Sequence, residues 1–185
     1  MTNFIAISAP SGAGKTTLCR ELQRRQPEIQ FSLSSTTRPQ RKIETDGVDY
    51  NFISRREFNA LITRNELAEY QEVHGYMYGT PKALLDRVIA NGEQMLFEVD
   101  VKGALSIKRL HPHRTITIFI LPPDISMLRQ RLRNRGTDNE QRIAKRLERL
   151  AMEIGYRDQF DFEVINDDID RAVSELQQTI KSHFK

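Results

Sequence analysis

A lysine and a threonine follow two closely spaced glycines near the start of the chain. The stretch "SAPSGAGKTT" covers residues 8–17 and nearly matches the phosphate-binding pattern G-x-x-x-x-G-K-[ST]. In such a loop, backbone N–H groups surround phosphate oxygens at a helix N-terminus, lysine adds a cation and the hydroxyl can bind Mg²⁺. We therefore expect a nucleoside triphosphate to contact Ala9, Pro10, Ser11, Gly12, Ala13, Gly14, Lys15, Thr16 and Thr17.

Ala9 departs from this pattern, because a glycine is usual at that position. The position makes the turn that leaves the preceding strand, and alanine is tolerated there if its φ is negative. The backbone donors at 12–17 are unaffected. A glycine-rich turn with a chance lysine is the alternative interpretation, and the strand–loop–helix context with threonine directly after lysine disfavours it.

A second group of residues has the chemistry of a monophosphate site. The stretch "SSTTRPQR" (34–41) places Arg38 and Arg41 three residues apart in a polar segment, and Tyr50 and Tyr78 follow. Arginines would donate charge-assisted hydrogen bonds to a phosphate, and the tyrosine hydroxyls would add neutral ones. Either arginine alone would be a solvated surface charge, so the prediction depends on their grouping.

Two acids and two hydroxyl residues could recognise a purine base. Guanine presents N–H donors at N1 and N2 and an acceptor at O6, which carboxylates and hydroxyls would satisfy, whereas adenine would turn a lone pair towards the carboxylate. The candidates are Glu69, Asp100, Ser34 and Thr80. Asp100 ends an apolar strand, at the usual ligand edge of a parallel sheet, and it could also hold Mg²⁺ through water. Glu98 shares its strand face.

The elements that must position these residues alternate between strand and helix. Apolar runs at 4–8, 31–35, 94–100, 115–121 and 161–166 predict about five parallel strands, with helices between them. We expect an α/β core formed by residues 1–32, 83–123 and 151–185. It is interrupted by a mixed, polar lobe at 33–82 and by an arginine-rich helical segment at 124–150.

Capping patterns mark two helices in and after the lobe. Ser54 and Glu57 form a capping box for a helix at 55–64, between strands predicted in "DYNFIS" and "LAEYQEV". Thr80 is the predicted N-cap of the next helix, with Pro81 as its first residue and Gly92 at its end.

The composition limits the classes of protein and partner. The chain has 185 residues, with 28 Lys and Arg against 25 Asp and Glu, and this small excess of positive charge does not favour nucleic acid as a partner. A single cysteine, Cys19, excludes an internal disulfide and favours a reducing compartment. No apolar run reaches membrane-spanning length, so we expect a cytoplasmic protein without a membrane partner.

The chain resembles the guanylate kinases over nearly its whole length. The matching motifs, in the order of that family, are "SAPSGAGKT", "FSLSSTTRPQR", "DGVDYNFIS", "EYQEVHGYMYGTP", "LFEVDVKGA", "IFILPP", "RGTD" and "VINDD". The resemblance implies a P-loop NTPase-type core, a GMP-binding lobe at 33–82 and a lid at 124–150. It also implies Mg²⁺-assisted transfer of the terminal phosphoryl group of ATP to GMP, and also to dGMP.

The resemblance also implies roles for individual residues. Catalytic residues would be Lys15, Arg38, Arg135 and Arg146; Arg131 and Asn166 would lie on the ATP side, and Thr16 and Asp100 at Mg²⁺. GMP would contact Ser34, Arg38, Arg41, Glu44, Tyr50, Glu69, Tyr78, Thr80 and Asp100. The sequence departs from the family at Lys42-Ile43, usually Pro-Gly, at Lys102, usually glutamine, and at Met77, usually aromatic.

Two other functions remain open from the sequence. A non-catalytic guanylate-kinase-like module that binds phosphopeptides would lose the loop lysine or the lid arginines, and here Lys15, Arg135 and Arg146 are all present. A kinase for another small phosphate ester would leave the base-reading residues unused, and an assay across several monophosphates would separate it from a guanylate kinase.

Overall fold

Two β-sheets organise the chain in the computed structural model, which describes residues 2–10, 12–73, 75–124, 126 and 140–184, the last range with side chains from residue 147. The phosphate loop follows a strand of the first sheet, and the second sheet belongs to the inserted lobe. In chain order the helices and strands are β1 Phe4–Ser8, α1 Lys15–Arg25, β2 Gln30–Phe31, β3 Ser35–Thr36, β4 Asn51–Phe52, α2 Arg55–Thr63, β5 Leu67–Val73, β6 Tyr76–Pro81, α3 Lys82–Asn91, β7 Met95–Glu98, α4 Val101–Leu110, β8 Thr115–Leu121, α5 Glu140–Gly155, β9 Phe162–Ile165 and α6 Ile169–His183.

The first sheet has five parallel strands in the order β2-β7-β1-β8-β9. Both β1 and β8 are buried along their whole length, as expected for apolar strands covered on two faces. One face packs against α1 and α6 through residues such as Leu22 and Leu176. The other packs against α3 and α4 through residues such as Val88 and Ile107. The predicted five-stranded α/β core, with helices on both faces, is confirmed.

The second sheet is mixed and has the order β4-β3-β6-β5. Its small core consists of Phe58 from α2 with Leu67 and Met77 from the strands. A Cβ on Gly79 would lie 2.9 Å from the Phe58 ring and 3.0 Å from the Glu69 carbonyl oxygen, so α2 and β5 can approach this closely only at a glycine. The whole sheet lies within the range predicted for the lobe, 33–82.

The single strand predicted at 31–35 is wrong, because the chain passes there from one sheet to the other. The Ser32 N–H still donates to the Leu96 carbonyl of the first sheet, at 2.8 Å, whereas the Ser34 carbonyl accepts from Asn51 N of the second, at 3.0 Å. The run therefore forms two strands of two residues, β2 and β3. The chain returns to the first layer where β6 ends at Pro81 and α3 begins.

The capping predictions give a mixed result. The capping box of Ser54 and Glu57 is present with both of its hydrogen bonds, and Gly92 ends α3 with a φ of 66°. Thr80 is not the N-cap of α3, because it is the penultimate residue of β6 and its hydroxyl bonds to the Glu69 carboxylate. Pro81 takes the cap position without a side-chain bond.

The helix α5 begins within the arginine-rich helical segment predicted at 124–150 and continues beyond it to Gly155. Arg131 and Arg135 lie outside the described residues, and so does the side chain of Arg146. Across the described parts of the chain, we find no helix with the length and apolar character needed to span a membrane.

Candidate active site

The phosphate loop joins β1 to α1 at the carboxyl edge of the first sheet. Gly12 and Gly14 have φ values of 90° and 88°, and Gly14 is the N-cap of α1, so both need the left-handed region that glycine tolerates. Among the described non-glycine residues only Asn65 has positive φ, so Ala9 makes its turn without strain. The Asn166 amide donates to the Ala13 carbonyl at 2.7 Å and steadies the loop from β9. Ser11 lies outside the described residues.

The two reactive side chains of the loop share one acidic partner. Lys15 Nζ lies 3.4 Å from Glu98 Oε1, and the Thr16 hydroxyl donates to the same oxygen. Glu98 is the last residue of β7, and its side chain is 14 % exposed. The Glu98 carboxylate and the Thr16 hydroxyl are oxygen ligands of the type that Mg²⁺ accepts beside a phosphate.

Asp100 is placed differently from Glu98. Its Oδ1 accepts a hydrogen bond from Gly103 N at 2.8 Å, and Asp100 thereby caps α4. A Cβ on Gly103 would lie 3.0 Å from Glu69 Oε2 and 3.1 Å from Asp100 Oδ1, so both carboxylates lie close to this glycine. The structure thus brings Glu69 and Asp100 together, and it brings Glu98 to Thr16.

Glu69 is the most deeply buried acid among the predicted site residues. It is 7 % exposed, and its Oε1 accepts from the Thr80 hydroxyl at 2.7 Å. The Thr80 hydroxyl lies 3.3 Å from the Ser34 hydroxyl, so the three predicted base readers form one chain of polar groups. Burial raises the pKa of Glu69 to about 7, and the charge of Asp100 adds to this rise, while the bond from Thr80 opposes it.

The predicted monophosphate ligands surround Glu44. Arg38 donates from both terminal nitrogens to the Glu44 carboxylate, at 3.0 and 2.8 Å, and from Nε to the Tyr78 hydroxyl at 3.2 Å. Its guanidinium also lies 5.6 Å from the centre of the Tyr50 ring. Arg38 holds the pKa of Glu44 below its usual value. The Arg41 backbone N–H donates to Glu44 at 2.8 Å, but its side chain is 68 % exposed.

Two adjoining cavities connect these groups. The first, of about 210 Å³, is lined by Ala9, Lys15, Ser34, Tyr50, Glu69, Gln71, Val73, Tyr78, Glu98, Val99, Asp100, Arg149 and Glu153. The second, of about 410 Å³, includes Thr16, Arg38, Arg41 and Glu44, and it shares Tyr50, Tyr78 and Glu98 with the first. The phosphate loop, the base readers and the arginines therefore face one continuous cleft between the two sheets.

Sequence reasoning missed three polar residues of the first cavity. Gln71 lies two residues beyond Glu69 on the same face of β5, a position that strand alternation could have indicated. Arg149 and Glu153 come from α5, and Arg149 Nε donates to Glu153 Oε1 at 2.7 Å. Nothing in the charged pattern of α5 distinguishes this pair from solvated residues, yet the Glu153 side chain is 5 % exposed.

A parallel sheet with a lysine-bearing phosphate loop after its central strand defines the class of P-loop α/β nucleotide-binding proteins. The structure resembles that of the guanylate kinase from Anaplasma phagocytophilum, with a TM-score of 0.80 and 29 % identity over 98 % of this chain and 85 % of that one. It also shares its fold with the shikimate kinase of Bacteroides thetaiotaomicron, with a TM-score of 0.51 and 14 % identity over 97 % of this chain and 98 % of that one.

Sequence comparison narrows this class to one family. The guanylate kinase family model matches residues 1–183. The guanylate kinases of Carboxydothermus hydrogenoformans and Thermosynechococcus vestitus are each 43 % identical to the chain, over 96 % and 97 % of its length and 86 % and 93 % of theirs. The chain belongs to the guanylate kinase family and is an enzyme of the ATP:GMP phosphotransferase class, which confirms the predicted family, fold and enzyme class.

Proposed function

We propose that the chain transfers the terminal phosphoryl group of ATP to GMP, and also to dGMP, across the cleft between its two sheets. We assign this transfer to the residues described above. One observation carries the assignment of residues. The buried Glu69, in contact with the Thr80 hydroxyl, lines the same cavity as Lys15 of the phosphate loop. The proposed base-reading acid and the proposed triphosphate-binding cation therefore line one cavity.

Glu69, Asp100, Ser34 and Thr80 would select guanine. The two carboxylates accept from the N1 and N2 donors of guanine, and a hydroxyl donates to O6. Because Glu69 is buried, a base that left it unpaired would leave a desolvated acceptor without a hydrogen bond, which costs about 1–3 kcal/mol. Adenine would have to meet this cost, and guanine would not.

The GMP phosphate would bind beside Glu44. Tyr78 and Tyr50 present their rings and hydroxyls at the same place as Arg38, and Glu44 holds the Arg38 guanidinium in a bidentate pair. We propose that Arg38 keeps part of this pairing when the phosphate arrives, and that the exposed Arg41 side chain turns inward to join it.

The transfer needs no side-chain nucleophile, because an oxygen of the GMP phosphate attacks the terminal phosphorus of ATP while the bond from that phosphorus to the bridging oxygen breaks and ADP leaves. The protein then contributes alignment of the two substrates and neutralisation of charge on the transferred group. Lys15 would leave Glu98 and contact the phosphates of ATP. The lid arginines Arg135 and Arg146 stay predictions for the same neutralisation, and Arg131 stays a prediction for the ATP side.

The oxygen ligands beside the loop fit a magnesium ion. We propose Thr16 and Glu98 as its protein contacts, since they already share a hydrogen bond, and Asp100 stays a prediction for its water shell. Mg²⁺ would neutralise phosphate charge when bound. Asn166 holds the loop through Ala13; its place on the ATP side stays a prediction, as does the cytoplasmic location.

The assignment is tested with Lys15→Ala and a panel of monophosphates. We expect GDP formation from ATP and GMP to fall by at least a thousandfold in the variant, with an unchanged circular dichroism spectrum. Lys181→Ala, at an exposed lysine of α6, is the matched control and should keep full activity. Turnover of the wild type with AMP, UMP or dTMP that equals its turnover with GMP would refute the assignment of the base readers. Undiminished activity of Lys15→Ala would refute that of the loop.

A further inference from the structure

Gln71 is a polar side chain of the cleft that the proposed function leaves unused. It lies in β5 and lines the 210 Å³ cavity together with Glu69 and Tyr78. Its side chain is half-buried, and among the described residues it has no hydrogen-bond partner. A primary amide has two donor hydrogens and an acceptor oxygen, so Gln71 can both donate to and accept from a bound molecule.

The register of β5 and β6 fixes where Gln71 lies relative to the two ends of the site. Glu69 pairs with Thr80, and Gln71 pairs with Tyr78 in the next inward-facing row, about 7 Å along the strand. Glu69, Gln71 and Val73 are more buried than Tyr70 and Glu72, so the three share the face that lines the cavity.

This row lies between the base end and the phosphate end of the cleft. The Glu69–Thr80 row belongs to the base readers, whereas the long Tyr78 side chain reaches outward to bond Arg38 at the phosphate end. The shorter Gln71 side chain starts from the same row as Tyr78 and cannot reach as far. In a nucleoside monophosphate, the sugar joins the base to the phosphate, and so it lies beside this row.

We infer that Gln71 hydrogen-bonds to the hydroxyls of the sugar and makes the enzyme prefer GMP to dGMP. This inference rests on the proposed function, because it requires GMP to occupy the cleft in the orientation given above. The 2′-hydroxyl of ribose donates and accepts, which matches the amide, and deoxyribose lacks it. With dGMP bound, the amide loses water without gaining this partner.

The competing interpretation is that Gln71 lies against the flat face of guanine and only fills space. In that arrangement its replacement changes the use of GMP and dGMP by the same factor, because the two substrates carry the same base. The ratio of kcat/KM for GMP to kcat/KM for dGMP therefore separates the two arrangements, and a general loss of structure does not move it.

The test measures both substrates with the full-length enzyme, saturating ATP and Mg²⁺. We expect the wild type to favour GMP by roughly five- to tenfold, the effect of one neutral hydrogen bond in a partly desolvated site. Gln71→Met keeps the length and volume of the side chain without its amide, and it should bring the ratio close to one by lowering kcat/KM for GMP. Gln71→Ala provides the same comparison if the methionine variant does not fold.

Val73→Ala is the matched control, because Val73 lines the same cavity one row further on and has no polar group. It should leave the ratio unchanged. A wild type without a preference for GMP, or a preference that persists in Gln71→Met and Gln71→Ala, would overturn the inference. Failure of the wild type to phosphorylate GMP would contradict the proposed function instead, and calorimetric binding of GMP and dGMP would still compare the two sugars.

Discussion

Replacing Glu69 by glutamine should remove a pH dependence from GMP binding. Guanine N–H groups donate to the Glu69 carboxylate in the proposed complex, so GMP binds the ionised form. In the free enzyme, burial raises the pKa of this carboxyl to about 7, with Asp100 adding to the rise. GMP must therefore displace a proton from Glu69 whenever it binds below this pH, and its affinity should rise as the pH increases through 7.

The size of the effect follows from the ionised fraction of Glu69. With a pKa of about 7, roughly one tenth of the carboxyl groups are ionised at pH 6 and roughly nine tenths at pH 8. The dissociation constant for GMP should thus fall about tenfold over this range in the wild type. Glu69→Gln cannot titrate and turns amide hydrogens towards the guanine donors, so it should bind GMP weakly at every pH.

Isothermal titration calorimetry of GMP at pH 6, 7 and 8 measures this difference. The phosphate group of GMP itself titrates near pH 6, and Glu69→Gln retains that contribution, so the relevant quantity is the ratio of the two dissociation constants at each pH. A ratio that stays constant between pH 6 and 8 would refute the reasoning, because Glu69 would then be ionised throughout or would not contact the base.

The same pKa predicts an opposite trend in the stability of the free enzyme. The folded-state pKa of about 7 exceeds the unperturbed value of 4.5, so the folded state holds this proton more tightly than the unfolded chain. The corresponding stability, about 3 kcal/mol, is present below pH 4.5 and is lost as the pH rises through 7. Urea unfolding should show a smaller loss over this interval in Glu69→Gln than in the wild type.

Two further substitutions test the neighbouring groups. Gly14→Ala places a side chain at a φ of 88° and against the Asn166 amide. We expect the free energy of unfolding in urea to fall by about 1–2 kcal/mol, and KM for ATP to rise roughly tenfold or more. Gly155→Ala, at an open helix end, is its control. Equal stability and unchanged KM would contradict the described loop. Glu44→Gln removes the charged partner of Arg38, so KM for GMP should rise roughly tenfold while KM for ATP stays constant. A lower KM for GMP would instead show that Glu44 competes with the phosphate.

The part of the fold that the sequence predicted best is the part with long, uniform patterns. The short apolar runs of β1 and β8, rich in β-branched residues and bounded by turns, favour buried strands, and the glycines before Lys15 indicate the turn between β1 and α1. The run at 31–35 was misjudged, because a five-residue stretch does not reveal that its two ends pair with different sheets. The strand β6 was missed, since its glycine and proline normally indicate a loop.

The site residues that the sequence could indicate are those whose residue type, in that position, has few purely structural roles. Arginines grouped with tyrosines and an acid at the end of a buried strand indicated phosphate and base chemistry. The sequence pattern placed Glu98 and Asp100 on one strand face. In the structure α4 begins directly after Asp100, and the Asp100 carboxylate caps this helix. Strand alternation from Glu69 could have indicated Gln71, whereas the place of Arg149 and Glu153 in the cleft depends on contacts between elements far apart in sequence.

The two crossings between the sheets lie side by side. Ser34 lies at one crossing and Thr80 beside the other, and their hydroxyls are 3.3 Å apart. The exposed ion pair of Arg20 and Asp49, 3.2 Å long, also links α1 to the lobe, and such pairs resist separation weakly. A rotation of the lobe about these adjacent crossings would displace Arg38 more than Ser34 and Thr80, so the predicted phosphate ligands would move relative to the phosphate loop while the crossing residues stay close together.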